Sequence, residues 1–220
     1  MTPPYRIATE RLVVRCWDPR DAPLLKDAVD SSIDHLRPWM PWAADEPQPL
    51  EQKVDLLRQF RGKFDLGHDF TYGIFSRDES AVVGGTGLHT RVDPASFEIG
   101  YWIRADRAGQ GLCTEATAAL TRVVFELMDI ERIEIRVDPA NEASRAIPRK
   151  LGYTEEATLR QRLHYPEVRD VVLYTLFRDD FAGTLSASVG LEAYDAAGDG
   201  ISTVVLSVWI STRGSSSATS

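Results

Sequence analysis

A strand-like run, Glu98-Ile-Gly-Tyr-Trp-Ile-Arg104, passes through Ala105-Asp-Arg-Ala-Gly-Gln-Gly111 into the helical stretch Leu112-Cys-Thr-Glu-Ala-Thr-Ala-Ala-Leu120. Two glycines between a strand and a helix N-terminus leave backbone N–H groups unpaired at the positive end of the helix dipole. That arrangement suits a phosphate or pyrophosphate. It is not a dinucleotide fingerprint, because Thr114 stands where a third glycine would be needed, and no Gly-Lys-Ser/Thr follows to make a triphosphate loop. The anion stays unnamed at this level. Cys113 sits at the helix start, where a thiolate would be favoured, and invites a nucleophile reading.

The elements that must position this turn are legible from periodicity. Thr9–Trp17 alternates as a half-buried strand, and Asp18-Pro-Arg-Asp21 offers capping chemistry before a helix with an apolar stripe at Leu24, Leu25, Ala28, Val29 and Ile33. Pro38 and Pro41 interrupt His35–Trp42, and a second helix is expected from Leu50 to about Phe64. Strands at about Phe70–Phe75, Ala81–His89 and Phe97–Arg104 form a meander leading to the glycine turn. Beyond it come a helix at Cys113–Met128, a strand at Glu131–Val137 and a short helix at Glu142–Leu151 stopped by Gly152. Strands near Tyr153–Leu159 and Asp170–Phe177 follow. His164 and Tyr165 are expected in a surface loop before Pro166.

Composition sets further bounds. The 220 residues are 43% apolar with a formal net charge of −8, enough for one sizeable core and without the basic footprint of a nucleic-acid binder. Cys16 and Cys113 are the only cysteines, and His35, His68, His89 and His164 lack ligand spacing, so neither a disulfide framework nor a metal site is expected. No segment reaches the roughly 18 apolar residues of a membrane span, and a cytoplasmic location follows as the expectation. From about Gly183 charges thin out while Ser, Ala, Gly and Thr accumulate. Residues 1–182 are therefore taken as one domain, and 183–220 as an extension, partly disordered or one extra strand. Within the extension Ile201–Ile210 has strand propensity and could mediate self-association.

Taken together, TERLVVR, LRPWMPW, EIGYWI, AGQGLCTEA and NEASRAIPRKLGY resemble, in order and spacing, the GNAT superfamily of acyl-CoA-dependent N-acetyltransferases. Within it they resemble the RimJ/RimL branch that acetylates protein N-termini. The resemblance spans about Thr9 to Asp180. It implies an α/β (α+β) GNAT fold, a central mixed, mostly antiparallel twisted sheet flanked by helices. It also implies an acyltransferase using acetyl-CoA, with coenzyme A wrapped by Arg107, Ala108, Gly109, Gln110, Gly111, Leu112, Cys113 and Thr114. The thioester would lie against the strand at Gly100–Ile103, so Trp102, Ile103 and Arg104 join the coenzyme site, with Asn141 on the pantetheine arm. Asp106 departs from the family pattern and is expected to face solvent, with Arg104 or Arg107 toward the phosphates.

Amine acetylation needs a neutral nitrogen, a donor for the tetrahedral oxyanion and a proton for the leaving thiolate. Glu98 shares a strand face with Gly100 and Trp102, and its carboxylate is the expected proton acceptor, the alternative being a partner for a nearby arginine. Pro148 stands where many family members carry a tyrosine acid, which rules out that route, and the resemblance points to Ser144 instead. Asn141 and Ser144 would serve equally as helix capping residues. Trp39 and Trp42 are expected to wall the acceptor site, or to be core. Cys113 is not expected to be a nucleophile, because the family transfers the acetyl group directly. Three functions remain: acetylation of a protein N-terminal α-amine, acetylation of a small amine such as an antibiotic or polyamine, or acyl-CoA binding without turnover. The family often forms homodimers, and this chain is a candidate for one.

Overall fold

A computed structural model of the chain describes residues 3–91 and 93–202. The strands are β1 (Arg6–Ala8), β2 (Leu12–Cys16), β3 (Phe70–Ser76), β4 (Val82–His89), β5 (Ser96–Ile103), β6 (Arg132–Val137), β7 (Thr154–His164), β8 (Val168–Phe177), β9 (Glu192–Tyr194) and β10 (Gly200–Ile201). The helices are α1 (Ala22–Asp30), α2 (Ile33–Leu36), α3 (Leu50–Asp65), α4 (Leu112–Leu127), α5 (Glu142–Lys150) and α6 (Arg178–Phe181). One sheet runs in the order β10-β9-β1-β2-β3-β4-β5-β6-β8-β7. Every neighbouring pair is antiparallel except β5 and β6, which are parallel and joined by the α4 crossover. This is the mixed, mostly antiparallel sheet expected from the sequence.

Helices cover both faces. On one, α4 buries Ala116, Ala119, Leu120, Val123 and Val124 against Phe97, Ile99, Ile133 and Ile135. On the other, α1 and α3 pack Leu25, Ala28, Val29 and Leu57 over Val13, Phe75 and Trp17, with the Trp17 and Phe75 rings in edge contact at 5.5 Å. Because side chains alternate along a strand, β5 sends Phe97, Ile99, Tyr101 and Ile103 toward α4, and Glu98, Gly100 and Trp102 toward the α1/α3 side.

The expected meander and the long helices fall within a residue or two of where periodicity puts them. The first strand does not. Thr9–Trp17 breaks into a turn, with Thr9 N–H bonded to Leu12 O at 2.9 Å, and then β2, while β1 precedes it as a three-residue strand too short to show a period. His164 closes β7 instead of lying in a loop, because β7 is an edge strand whose mostly exposed residues carry little alternation.

Residues 183–202 are built into the same sheet: β9 pairs with β1, and β10 with β9. Arg122 of α4 donates to the Val189 carbonyl at 2.6 Å, while Ser186 and Ala193 are buried. Of the Ile201–Ile210 segment only its first two residues are described, and 203–210 lie outside the described residues. Deleting 183–220 strips β1 of its outer partner and uncovers part of α4. A fall in Tm of roughly 4–8 °C is expected for about 2 kcal/mol lost, measured by calorimetry. An unchanged Tm would show that the tail does not brace the sheet.

Candidate active site

The site is built where β5 and β6 part. Their parallel ladder contains Ser96↔Arg132, Phe97↔Ile133 and Glu98↔Glu134 and continues no further among the described residues. β4 holds β5 out to Ile103, and β8 holds β6 out to Val137. The backbone edges of Ile99–Ile103 and Ile135–Val137 therefore face each other across an opening. Peptide groups in such an opening need a partner, and an extended polar chain can supply one.

At the mouth of the opening the chain turns through Ala105–Arg107 into α4, with Gly109 at φ +74° and Gly111 at φ +77°. No side chain caps α4, whose N-cap residue is Gly111. Residues 107–111 are exposed. Gly111 and Gln110 are steadied from behind: Arg11 donates to the Gln110 carbonyl at 3.0 Å and to Glu115 at 2.7 Å, while Thr9 donates to Glu115 at 2.6 Å. An exposed backbone arch with two left-handed glycines and an uncapped helix end fits a diphosphate bound by main chain.

Asp106 points outward as expected, with its charge met by Arg104 at 2.9 Å. Arg104 is committed elsewhere than to the phosphates, because Asp27 of α1 holds its other end at 2.5 Å. Arg107 stays exposed at the turn. Cys113 is buried, and burial pushes its thiol up to about 12, so it remains protonated at the helix start. Leu112 is buried too, while Ala108 and Gln110 lie on the exposed arch and Thr114 is half-buried in the first turn of α4.

The opposite edge of the opening, beyond the end of β6, leads into α5. Asn141 caps the helix by accepting the Ser144 N–H at 3.0 Å. Pro148 lies inside α5 and has no N–H to give the carbonyl four residues back, which is that of Ser144. Tyr101 fills the gap. Its hydroxyl donates to Ser144 O at 3.0 Å and accepts from Ser144 Oγ at 3.3 Å. Burial drives the Tyr101 phenol far above its ordinary range, so it stays a donor. The proline that removes the family's tyrosine thus admits a different tyrosine, from β5, to the same helix. Nothing local in the sequence links Tyr101 to residue 148; the fold alone brings it to the helix that carries Pro148.

Across β5, on the α1/α3 side, lies a cavity of about 790 Å³ walled by Trp42, Trp102, His89, Asp69, Glu46 and Lys53 among others. Trp42 and Trp102 meet edge to face at 5.8 Å. Trp39 is half-buried and does not line the cavity. Trp102, expected at the coenzyme, sends its indole into this cavity instead, leaving only its backbone to the opening; Ile103 packs toward α4. The loop carrying Trp42 is anchored by a buried ion pair between Lys53 and Glu46.

Two ring positions depend on glycines of β4. A Cβ on Gly85 would lie 2.4 Å from Trp102 Nε1, and one on Gly87 would lie 2.9 Å from the His89 ring, which also overhangs Gly100. His89 Nδ1 is 2.9 Å from Asp69 Oδ1. Sequence reading weighed His89 only as a metal ligand; the signal was the glycine spacing of VVGGTGLH, which clears space on one strand face. Glu98, directly opposite His89 in the ladder, lies between Arg91 and Arg136, each at 3.7 Å, and outside the cavity wall. The structure thus gives its carboxylate the arginine partners that were its alternative reading.

A parallel pair that splays open, a glycine arch at its mouth and an acceptor-sized cavity on the other face define an acyl-transfer scaffold. Residues 11–154 match the family described as acetyltransferase (GNAT) domain. The chain is 30% identical over 187 residues to the [Ribosomal protein uS5]-alanine N-acetyltransferase of Escherichia coli (strain K12), covering 81% of this chain and 94% of that protein. Mycobacterium smegmatis RimJ, solved with a CoA-disulfide, superposes with a TM-score of 0.75 at 24% identity, covering 84% of this chain and 94% of that one. RimL, a ribosomal L7/L12 alpha-N-protein acetyltransferase solved with coenzyme A, superposes at 0.71 with 23% identity, covering 79% and 97%. The chain belongs to the GNAT acetyltransferase family. It is an acyltransferase with acetyl-CoA as donor.

Replacing Gly109 by valine forces a β-branched residue into a left-handed conformation with open space around it, so the cost falls on arch geometry and not on packing. In the free variant the exposed arch relaxes out of the left-handed region and must return to it to bind, and about 1–2 kcal/mol for that return predicts a roughly tenfold weaker acetyl-CoA Kd by calorimetry, with Tm unchanged. Unchanged affinity would contradict the placement of the diphosphate.

Proposed function

We propose that the protein transfers the acetyl group directly from acetyl-CoA to the N-terminal α-amine of a protein, a ribosomal protein in the first instance. The observation that carries this reading is the cavity on the Trp102 face of β5, separated from the coenzyme opening by one strand and about 790 Å³ in volume. A chain terminus can enter from that side while the thioester lies along the other, so both substrates meet at β5 without a covalent enzyme intermediate. The names of the relatives, which act on ribosomal protein uS5 and L7/L12, support the same acceptor class.

In this reading the glycine arch from Arg107 to Thr114 holds the diphosphate, and Asn141 meets the pantetheine arm. Backbone N–H groups of Gly100–Ile103 steady the developing oxyanion. Ser144 Oγ–H, which in this structure donates to the Tyr101 hydroxyl, turns from it to give the departing sulfur its proton. Trp42 and Trp102 clamp the first residues of the acceptor. The reaction is cytoplasmic, where nascent protein termini and acetyl-CoA coexist.

An acceptor panel tests the reading: peptides beginning with Ala, Ser or Met, alongside polyamines and aminoglycosides, with thiol release and mass spectrometry as readouts. Turnover is expected for the Ala or Ser peptides at kcat/KM at least about tenfold above any small amine, a difference of about 1.4 kcal/mol. Preference for a small amine would replace the acceptor class. Binding of acetyl-CoA with no turnover on any amine would favour the acyl-CoA-binding alternative.

A further inference from the structure

We infer that His89, held by Asp69, is the group that takes the proton from the acceptor amine. Asp69 accepts from His89 Nδ1 at 2.9 Å and is itself approached by the Thr71 hydroxyl at 3.4 Å. Burial alone would raise the Asp69 carboxyl, but the hydrogen bond from His89 and the nearby Arg91 outweigh it and hold the group below its ordinary value. An ionised carboxylate can only accept, so Nδ1 carries the hydrogen, and in the neutral ring Nε2 keeps its lone pair.

That lone pair is aimed by the strand beneath it. Gly87 and Gly100 are directly opposite in the β4/β5 ladder, and the imidazole lies over both. A Cβ at Gly100 would be 3.3 Å from Nε2, so the basic nitrogen stands against the middle of β5, on the cavity side of the strand whose other flank opens toward β6. Among the described residues Nε2 has no hydrogen-bond partner. The other charged or titratable groups lining the cavity are Asp45 and Glu46 of the Trp42 loop, Lys53 and Lys63 of α3, His68 beside Asp69, Tyr72 of β3, Arg91 beyond β4 and Tyr101 of β5, with Glu98 across the ladder. Glu98 is already matched by Arg91 and Arg136, and none of these displaces Asp69 from Nδ1.

The step balances as follows. The ammonium form of the acceptor gives one proton to Nε2, directly or through a water, and the N–H electron pair stays on nitrogen. The neutral amine forms a C–N bond to the thioester carbonyl carbon, the C–S bond breaks with its pair on sulfur, and a second nitrogen proton reaches the thiolate by way of Ser144. The imidazolium returns its proton to solvent. Amide, free thiol and one released proton are the products.

This inference rests on amine acetylation, not on the protein-terminus acceptor, and the test separates the two. His89→Gln is measured with Ala- and Ser-terminal peptides and with spermidine. For whichever amine the wild type acetylates, kcat/KM is expected to fall by about 100-fold or more, with acetyl-CoA Kd unchanged and the acid-side fall of the pH profile moved up toward the ionisation of the amine itself. Asp69→Asn, which keeps the imidazole but frees its tautomer, is expected to lose about tenfold or more. Wild-type turnover of spermidine alone would overturn the peptide reading while still testing the dyad. Nitrogen-15 NMR of the wild type supplies a readout independent of turnover and of variant folding: protonated Nδ1 and unprotonated Nε2 in neutral His89. A proton on Nε2, or a folded His89→Gln enzyme with near wild-type kcat/KM and an intact acid limb, would overturn the assignment.

Discussion

Three residue pairs hold β5 to β6, after which, among the described residues, both strands are held only from outside, β5 by β4 and β6 by β8. Neither can relax toward the other without giving up an antiparallel ladder that runs to Ile103 on one side and Val137 on the other. The α4 crossover that makes the two strands parallel also starts where they part, so the glycine arch and the uncapped helix end stand at the mouth of the opening they create. The exposed glycine arch, the peptide edges and the Ser144 end of α5 all border the opening left by that single failure of pairing.

The two faces of β5 then divide the chemistry. Toward α4 it sends Tyr101, which repairs the carbonyl that Pro148 orphans; toward α1 and α3 it sends Trp102 and the bare backbone of Gly100. β4 complements this with glycines at 85 and 87, where absent side chains let an indole and an imidazole lie flat on the sheet. Donor and acceptor can meet at one strand because the sheet is one layer thick there. The buried Lys53–Glu46 pair and the Arg15–Asp21 and Arg15–Glu79 bridges brace the surrounding helices and loops.

Much of this was legible in sequence because it is local. Periodicity locates α3, α4 and the β3–β5 meander, and the strand–glycine–helix order by itself points to an anion site. What escaped depends on contacts distant in sequence. Arg104 belongs to Asp27, 77 positions away, and Ser144 to Tyr101, 43 positions away. Trp102 was placed with the coenzyme because its neighbours were, although strand alternation turns its side chain the other way. His89 hid behind a question about metals, since only the folded sheet brings Asp69 to its Nδ1 and clears Gly87 and Gly100 beneath it. β1 and β9 were too short to carry a pattern at all.

A donor lying along the β5–β6 opening leaves the Trp42–His89 cavity free for the acceptor. Hydrogen exchange read by mass spectrometry, with and without acetyl-CoA, tests it most directly. Protection is predicted to concentrate in peptides spanning 99–114 and 137–144, with residues 40–72 unchanged. Protection of 40–72 without any in 99–114 would put the donor in the cavity assigned to the acceptor and contradict the account.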